Sequence, residues 1–219
     1  MYYASLQAGE FHNCGLSASG QAYCWGKNQD GQLGDGTTTD STQPVAVTMP
    51  AGISFTAIAL GGKHTCAIGV NVSAAKSIWC WGAAGLGQLG YGTYTGTPFE
   101  TSPRQVQLSH ITNLGFNIQN IDAGKYHTCA IFQAEGTYCW GDNSDGQLGA
   151  ILAGPPESDI PVAVAVPAGV SFRQTASGNQ HTCAVSTSYD AYCWGYNGFG
   201  RLGDNTTTNR LTPVKVVQP

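Results

Sequence analysis

The chain has 219 residues, enough to bury a sizeable core, but only 10% of them are charged, well below the usual quarter. A net charge of −4 excludes the basic stripe that phosphate-backbone binding requires, so no nucleic-acid partner is expected. No apolar run approaches a bilayer span, so no membrane insertion is expected.

Met1-Tyr2-Tyr3-Ala4-Ser5 lacks a basic region followed by an apolar stretch and does not read as a signal peptide. It suits a mature or excised piece, or a chain exported by another route. From there the sequence is periodic. A Gly is followed three residues on by His and two further by Cys: Gly9/His12/Cys14, Gly61/His64/Cys66, Gly124/His127/Cys129 and Gly178/His181/Cys183. Each frame leads into Cys-Trp-Gly, at Cys24, Cys80, Cys139 and Cys193. Each ends in Gly-[Gln/Arg]-Leu-Gly, at residues 31–34, 87–90, 146–149 and 200–203. The period implies stacked supersecondary units, none of which buries its apolar face alone. Repeats are expected near 1–52, 53–117, 118–169 and 170–219, together forming one domain.

The third repeat shows the expected elements. Ile118 to Ile121 alternates as a strand does, and His127 to Phe132 is a second strand. Ala134-Glu135-Gly136 is a turn, Thr137 to Trp140 a third strand and Gly141 to Gly149 a compact loop. Pro161-Val162-Ala163-Val164 is a fourth strand, with Pro as its first residue. If Cys129 opposes Cys139, then Ala130 faces Tyr138 and Ile131 faces Thr137. Directly opposed antiparallel residues can be bridged. The extra residues of repeat two, Asn71 to Lys76, lengthen only the hairpin tip. The expected pairs are therefore Cys14–Cys24, Cys66–Cys80, Cys129–Cys139 and Cys183–Cys193, with reduced thiols or a metal-bound state as the alternatives. Disulfides imply an oxidising compartment, extracellular or cell-surface. No capped apolar run at helical spacing occurs. Four short strands per repeat give an all-β chain with the arithmetic of a β-propeller.

The frame Gly-x-x-His-[Thr/Asn]-Cys, Tyr/Trp-Cys-Trp-Gly, Asn-x-x-Gly-Gln-Leu-Gly, Pro-Val-x-Val resembles the regulator of chromosome condensation (RCC1) repeat, over essentially the whole chain. Repeat two departs, with Ala84 where Asn28, Asn143 and Asn197 stand. Repeat three carries a longer Pro-rich loop at 154–159. The resemblance implies a β-propeller, commonly of seven blades, that binds proteins through its loops and a propeller face. The Cys-bearing variety is similar to that of secreted or surface-attached bacterial proteins, one branch of which inhibits β-lactamases. Nucleotide exchange and chromatin binding are not expected of an acidic, oxidised, short chain. Four blades either close alone or form part of a larger ring or assembly.

Candidate chemistry is sparse. His12, His64, His127 and His181 would form a ring, but recurrence in step with the Gly favours a hydrogen bond within each blade over a metal site. The Trp residues are expected between sheets. Asp142 to Asp145 lacks calcium-loop spacing, and the Gly-rich loops lack the Lys of a phosphate loop. His110 has no evident partner, and no nucleophile–base–acid set stands out. No metal, cofactor or catalytic residue is expected. Differences between repeats concentrate in 73–78, 91–101, 151–159 and 206–211. Tyr91, Tyr94 and Phe99, with Tyr196 and Phe199 in the corresponding region of repeat four, are the candidate contacts, since Tyr- and Gly-rich loops make adaptable surfaces. The expected function is non-catalytic: an extracellular module that binds a protein partner or its own copies, as an oligomer or filament. A carbohydrate-binding propeller that uses Tyr94 or Tyr196 is the alternative.

Overall fold

The structure is a computed structural model that describes residues 2–92, 98–111, 117–154 and 156–218. These residues form four four-stranded antiparallel sheets in which consecutive strands are neighbours. The first blade is β1 (Tyr3–Ala8), β2 (His12–Ser17), β3 (Ala22–Gly26) and β4 (Ser41–Ala46). The second is β5 (Ile53–Leu60), β6 (His64–Asn71), β7 (Lys76–Ala83) and β8 (Phe99–Gln105). The third is β9 (Ile118–Ala123), β10 (His127–Phe132), β11 (Gly136–Asp142) and β12 (Glu157–Ala163). The fourth is β13 (Phe172–Ser177), β14 (His181–Ser186), β15 (Ala191–Gly195) and β16 (Arg210–Lys215). The turns that follow β1, β5, β9 and β13 converge on one open cavity of about 320 Å³, lined by Gly9, Gly61, Gly124 and Gly178. The first strands therefore lie nearest a common axis.

The central hairpin of every blade has the register that its short turn requires. Cys129 opposes Cys139, Ala130 opposes Tyr138 and Ile131 opposes Thr137. The cysteines are bridged as Cys14–Cys24, Cys66–Cys80, Cys129–Cys139 and Cys183–Cys193. In blade two the added residues carry the pairing out to Val70 and Lys76. A tip then follows in which Asn71 Oδ1 accepts the N–H groups of Ser73 and Ala75. The register of Cys66 and Cys80 is preserved because the insertion lies wholly beyond it.

The fourth strands differ from the sequence expectation. Pro161 lies inside β12, not at its start, and Pro44, Pro103 and Pro213 are likewise internal to β4, β8 and β16. The register explains this. Val162 pairs with Cys139, but the next paired residue, Ser158, faces Gly141. The same shift occurs between Cys and Gly in the other three blades. Pro occupies the irregular stretch of an edge strand, where no ladder hydrogen bond is lost. The Gly after each Trp completes the distortion at positive φ, from 99° to 110°, a conformation that suits a residue without Cβ.

The core lies between blades, not within them. Leu33, Phe55, Leu60 and Trp81 join blades one and two. Ile78, Leu89, Ile121 and Trp140 join two and three. Leu148, Phe172, Tyr192 and Trp194 join three and four. Phe55 stacks on Trp81 with centroids 5.8 Å apart, and Phe172 stacks on Trp194 at 5.7 Å. Truncating a buried aromatic of this kind to Ala typically costs about 3–5 kcal/mol. Each junction is therefore a substantial share of the stability.

Candidate interaction site at the blade junctions

Each junction is made by the loop after the third strand of one blade and the second and third strands of the next. Asn28 shapes the first loop. Its Oδ1 accepts the Leu33 N–H at 2.9 Å, and its Nδ2 donates to Asp35 and to the Thr37 carbonyl. Asn143 and Asn197 hold Leu148 and Leu202 in the same way. Leu33 and Leu148 are thereby held in their junctions and Leu202 within blade four; Leu89, whose loop has Ala84 in place of Asn, is also buried. The turn also presents the Gln32 carbonyl to blade two, where the Trp81 indole N–H donates to it at 2.9 Å. Trp194 does the same to Gln147 at 2.9 Å. A Cβ at Gly34 would lie 2.6 Å from the Trp81 indole, so only Gly lets the ring approach.

At all three junctions the Gln carbonyl accepts a hydrogen bond from the next blade's Thr. Thr65 Oγ1 donates to Gln32, Thr128 Oγ1 to Gln88 and Thr182 Oγ1 to Gln147. With its proton committed, each hydroxyl must accept from the neighbouring imidazole. His12 Nε2 lies 2.8 Å from Thr65 Oγ1, His64 Nε2 2.9 Å from Thr128 Oγ1 and His127 Nε2 2.8 Å from Thr182 Oγ1. These three His are therefore neutral Nε2–H tautomers. Burial drives their pKa values down, to about 4 for His12 and about 3 for His64 and His127. Mutual repulsion along the row depresses His64 further. The sequence expectation of a hydrogen bond within each blade is corrected. The His turns towards the next blade, because the Gly before it packs flat on its ring: a Cβ at Gly124 would sit 2.1 Å from His127 Cε1.

The first and fourth blades depart from this frame in sequence. Blade one carries Trp25, whose side chain is half-buried where Trp81, Trp140 and Trp194 are fully enclosed, and Asn13 in the place of Thr. Blade four carries His181 and a loop in which Arg201 replaces Gln. His181 is only half-buried, and its pKa is lowered by desolvation and by the Arg201 charge. The Arg201 guanidinium lies 4.6 Å from the Tyr196 ring and 5.5 Å from that of Phe199. Phe199 is 84% exposed.

The candidate contact residues are thus dispersed. Tyr196 and Phe199, marked in the sequence as aromatic residues of one loop, are brought together around Arg201, which stands where the other three loops have Gln. Tyr91 is buried. Its hydroxyl donates to the Cys80 carbonyl, its ring carries the Arg104 guanidinium at 4.5 Å, and burial raises its pKa. Phe99 opens β8, half-buried. Tyr94 lies outside the described residues. His110, without an evident partner in the sequence, meets the Pro161 carbonyl at 2.7 Å through Nε2.

Comparison with known proteins follows this geometry. The regulator of chromosome condensation (RCC1) repeat matches residues 19–68, 77–131, 136–185 and 190–219. The first three matches each run from the central hairpin of one blade into that of the next, so the sequence unit contains the junction. The Arabidopsis thaliana ultraviolet-B receptor UVR8 is 31% identical over 96% of the chain, which spans 45% of that protein. The probable E3 ubiquitin-protein ligase HERC4 of Homo sapiens is also 31% identical over 96% of the chain, here 19% of the relative. The chain thus spans less than half of either relative. Human WBSCR16 superposes with a TM-score of 0.83 at 20% identity, over 99% of this chain and 53% of that one. The structure of Kap60 bound to yeast RCC1 (Prp20) superposes at 0.80 and 21%, over 99% and 49%. These likenesses show an RCC1-type β-propeller fold. With four matched repeats and the junction geometry in common between its blades, the chain belongs to the RCC1 repeat family.

Proposed function

We propose that this chain is a non-catalytic, extracellular protein-interaction module, a single disulfide-stapled propeller domain spanning residues 1–219. The observation that carries this reading is the face of blade four, where Tyr196, Arg201 and the exposed Phe199 form a cation–aromatic cluster. Aromatic and Arg side chains dominate the energetics of protein interfaces. The structure of Kap60 bound to yeast RCC1 (Prp20) holds a protein partner on a chain of this fold, which supports protein recognition. The four disulfides support an oxidising compartment. Tyr91, buried under Arg104, is left out of the contact surface.

The test is a photo-crosslinking amino acid at position 199, run beside a glycan array. Protein adducts competed by free unlabelled chain, without saturable sugar binding, are expected. Saturable sugar binding that Tyr196→Ala removes would establish the carbohydrate-binding alternative instead.

A further inference from the structure

We propose that the cleft between blades three and four binds a small organic cation, a protonated amine on an apolar body, with Glu135 as its counter-ion. This site is separate from the interaction surface of blade four. It lies where the third strands begin, whereas Tyr196, Phe199 and Arg201 lie beyond where they end.

The hairpin tips share one frame position, held by Gly20, Lys76, Glu135 and Tyr189. At the first two junctions this position closes the seam with the next blade. The Phe55 N–H donates to the Gly20 carbonyl at 2.9 Å, so the tip of blade one lies directly on β5. The Lys76 ammonium crosses from blade two and donates to Asn117 Oδ1 at 3.1 Å and to the Ile118 carbonyl at 2.9 Å. Blade three builds its tip differently. Pairing of β10 with β11 extends to Phe132 and Gly136, and the positive φ falls at Gly136, one residue later in the frame than at Gly20. Among the described residues, this tighter tip makes no hydrogen bond to blade four. A Cβ at Gly136 would meet nothing within 4 Å.

The seam is left as a cavity of about 620 Å³. Phe132, Val164, Val166, Val170 and Phe172 line it beside neutral polar residues. Among the described residues that line it, only Glu135 carries a charge. Ligand pockets run from roughly 300 to 1,000 Å³ and combine apolar walls with few orienting polar groups. Glu135 Oε1 is shut off from water and has no hydrogen-bond partner among the described residues. A sheltered carboxylate oxygen without a donor is costly, and folded proteins seldom leave one so. In the same frame position blade two supplies its own ammonium, which is satisfied by blade three. Blade three supplies the opposite charge and an open space beside it. A cationic ligand completes the carboxylate, and its hydrocarbon body covers the Val and Phe side chains.

The test is isothermal titration calorimetry of the full chain with phenylbutylamine, protonated at neutral pH, and with phenylbutanol, which has the same body and no charge. Wild type should bind the amine saturably, with a Kd of about 1 mM or below. It should bind the alcohol at least about tenfold more weakly, since a hydrogen bond to a charged group is lost. Glu135→Gln should bring amine binding down to the level of the alcohol and leave alcohol binding unchanged. Glu135→Lys should abolish amine binding, because its own ammonium takes the place, as Lys76 does in blade two. Far-UV circular dichroism is the folding control for both variants. An amine that does not saturate the wild-type chain overturns the proposal. So does equal binding of amine and alcohol, or wild-type amine affinity in either folded variant.

Discussion

Thr128 shows how much one side chain carries at a junction. It is buried, it accepts from His64 and it donates to the Gln88 carbonyl, so it satisfies polar groups of blade two through a hydroxyl of blade three. Thr128→Val keeps the shape and removes both bonds. A donor and an acceptor are then left buried and unpaired, a penalty of about 1–3 kcal/mol. Urea unfolding should show a lower midpoint with an unchanged slope, since the surface exposed on unfolding is the same. A loss below about 0.5 kcal/mol would mean that water replaces the hydroxyl, and the relay described here would be wrong. Thr128→Ser, which keeps the hydroxyl, should cost less.

At the scale of the element, the unit is the bridged hairpin. Each Cys pair occupies opposed positions in β2–β3, β6–β7, β10–β11 and β14–β15. Cys129–Cys139 spans a sequence separation of 10, for which the loop-entropy account gives about 2–3 kcal/mol. Cys129→Ala/Cys139→Ala should lower stability by at least that amount, since both side chains are fully buried and truncation also leaves a cavity. Denatured wild-type protein treated with a thiol-alkylating reagent before reduction should take up no label. After reduction it should take up eight, and the double variant six. Label on the unreduced wild-type chain would show that one of the bridges does not form.

At the scale of the whole molecule, the His row couples the blades to pH. His12, His64 and His127 are buried and neutral, with pKa values of about 4, 3 and 3 against about 6.5 in the unfolded chain. Between those limits the unfolded chain binds more protons, so stability rises with pH. The contribution is complete above about pH 6.5 and is lost as pH falls towards 4. Each His costs about 1.4 kcal/mol per pH unit in that window, so three give about 4 kcal/mol per unit. Against a typical total of about 5–15 kcal/mol, acid unfolding should set in near pH 5. His127→Gln keeps an N–H donor for Thr182 without a titrating group and should reduce the slope by about a third. Equal slopes for the variant and wild type would assign the acid sensitivity elsewhere. Asp204, held at about 2 by hydrogen bonds from Thr206, Arg210 and Asn197, loses its contribution only at lower pH.

The hairpins, their register and the cysteine pairs follow from the amino-acid sequence alone, because all depend on short chain separations. A Gly-containing turn and a spacing of ten residues leave the strands few other pairings. The family frame likewise marks Asn28 and Leu33 within a single loop. The side-chain partners of His64, Trp81 and Thr128 were beyond that reach. His64 and Thr128 are 64 residues apart and Trp81 and Gln32 are 49 apart, and no local pattern says which neighbouring blade a side chain will meet. The same limit made Tyr91 look like a contact residue, since its burial depends on meeting Cys80 of β7 and Arg104 of β8. It also hid the difference between Trp25 and its three equivalents, which are identical in sequence frame. Tertiary packing alone separates them: Trp81, Trp140 and Trp194 are enclosed at blade junctions, whereas Trp25 is half-buried with its ring centroid 6.1 Å from that of Tyr3.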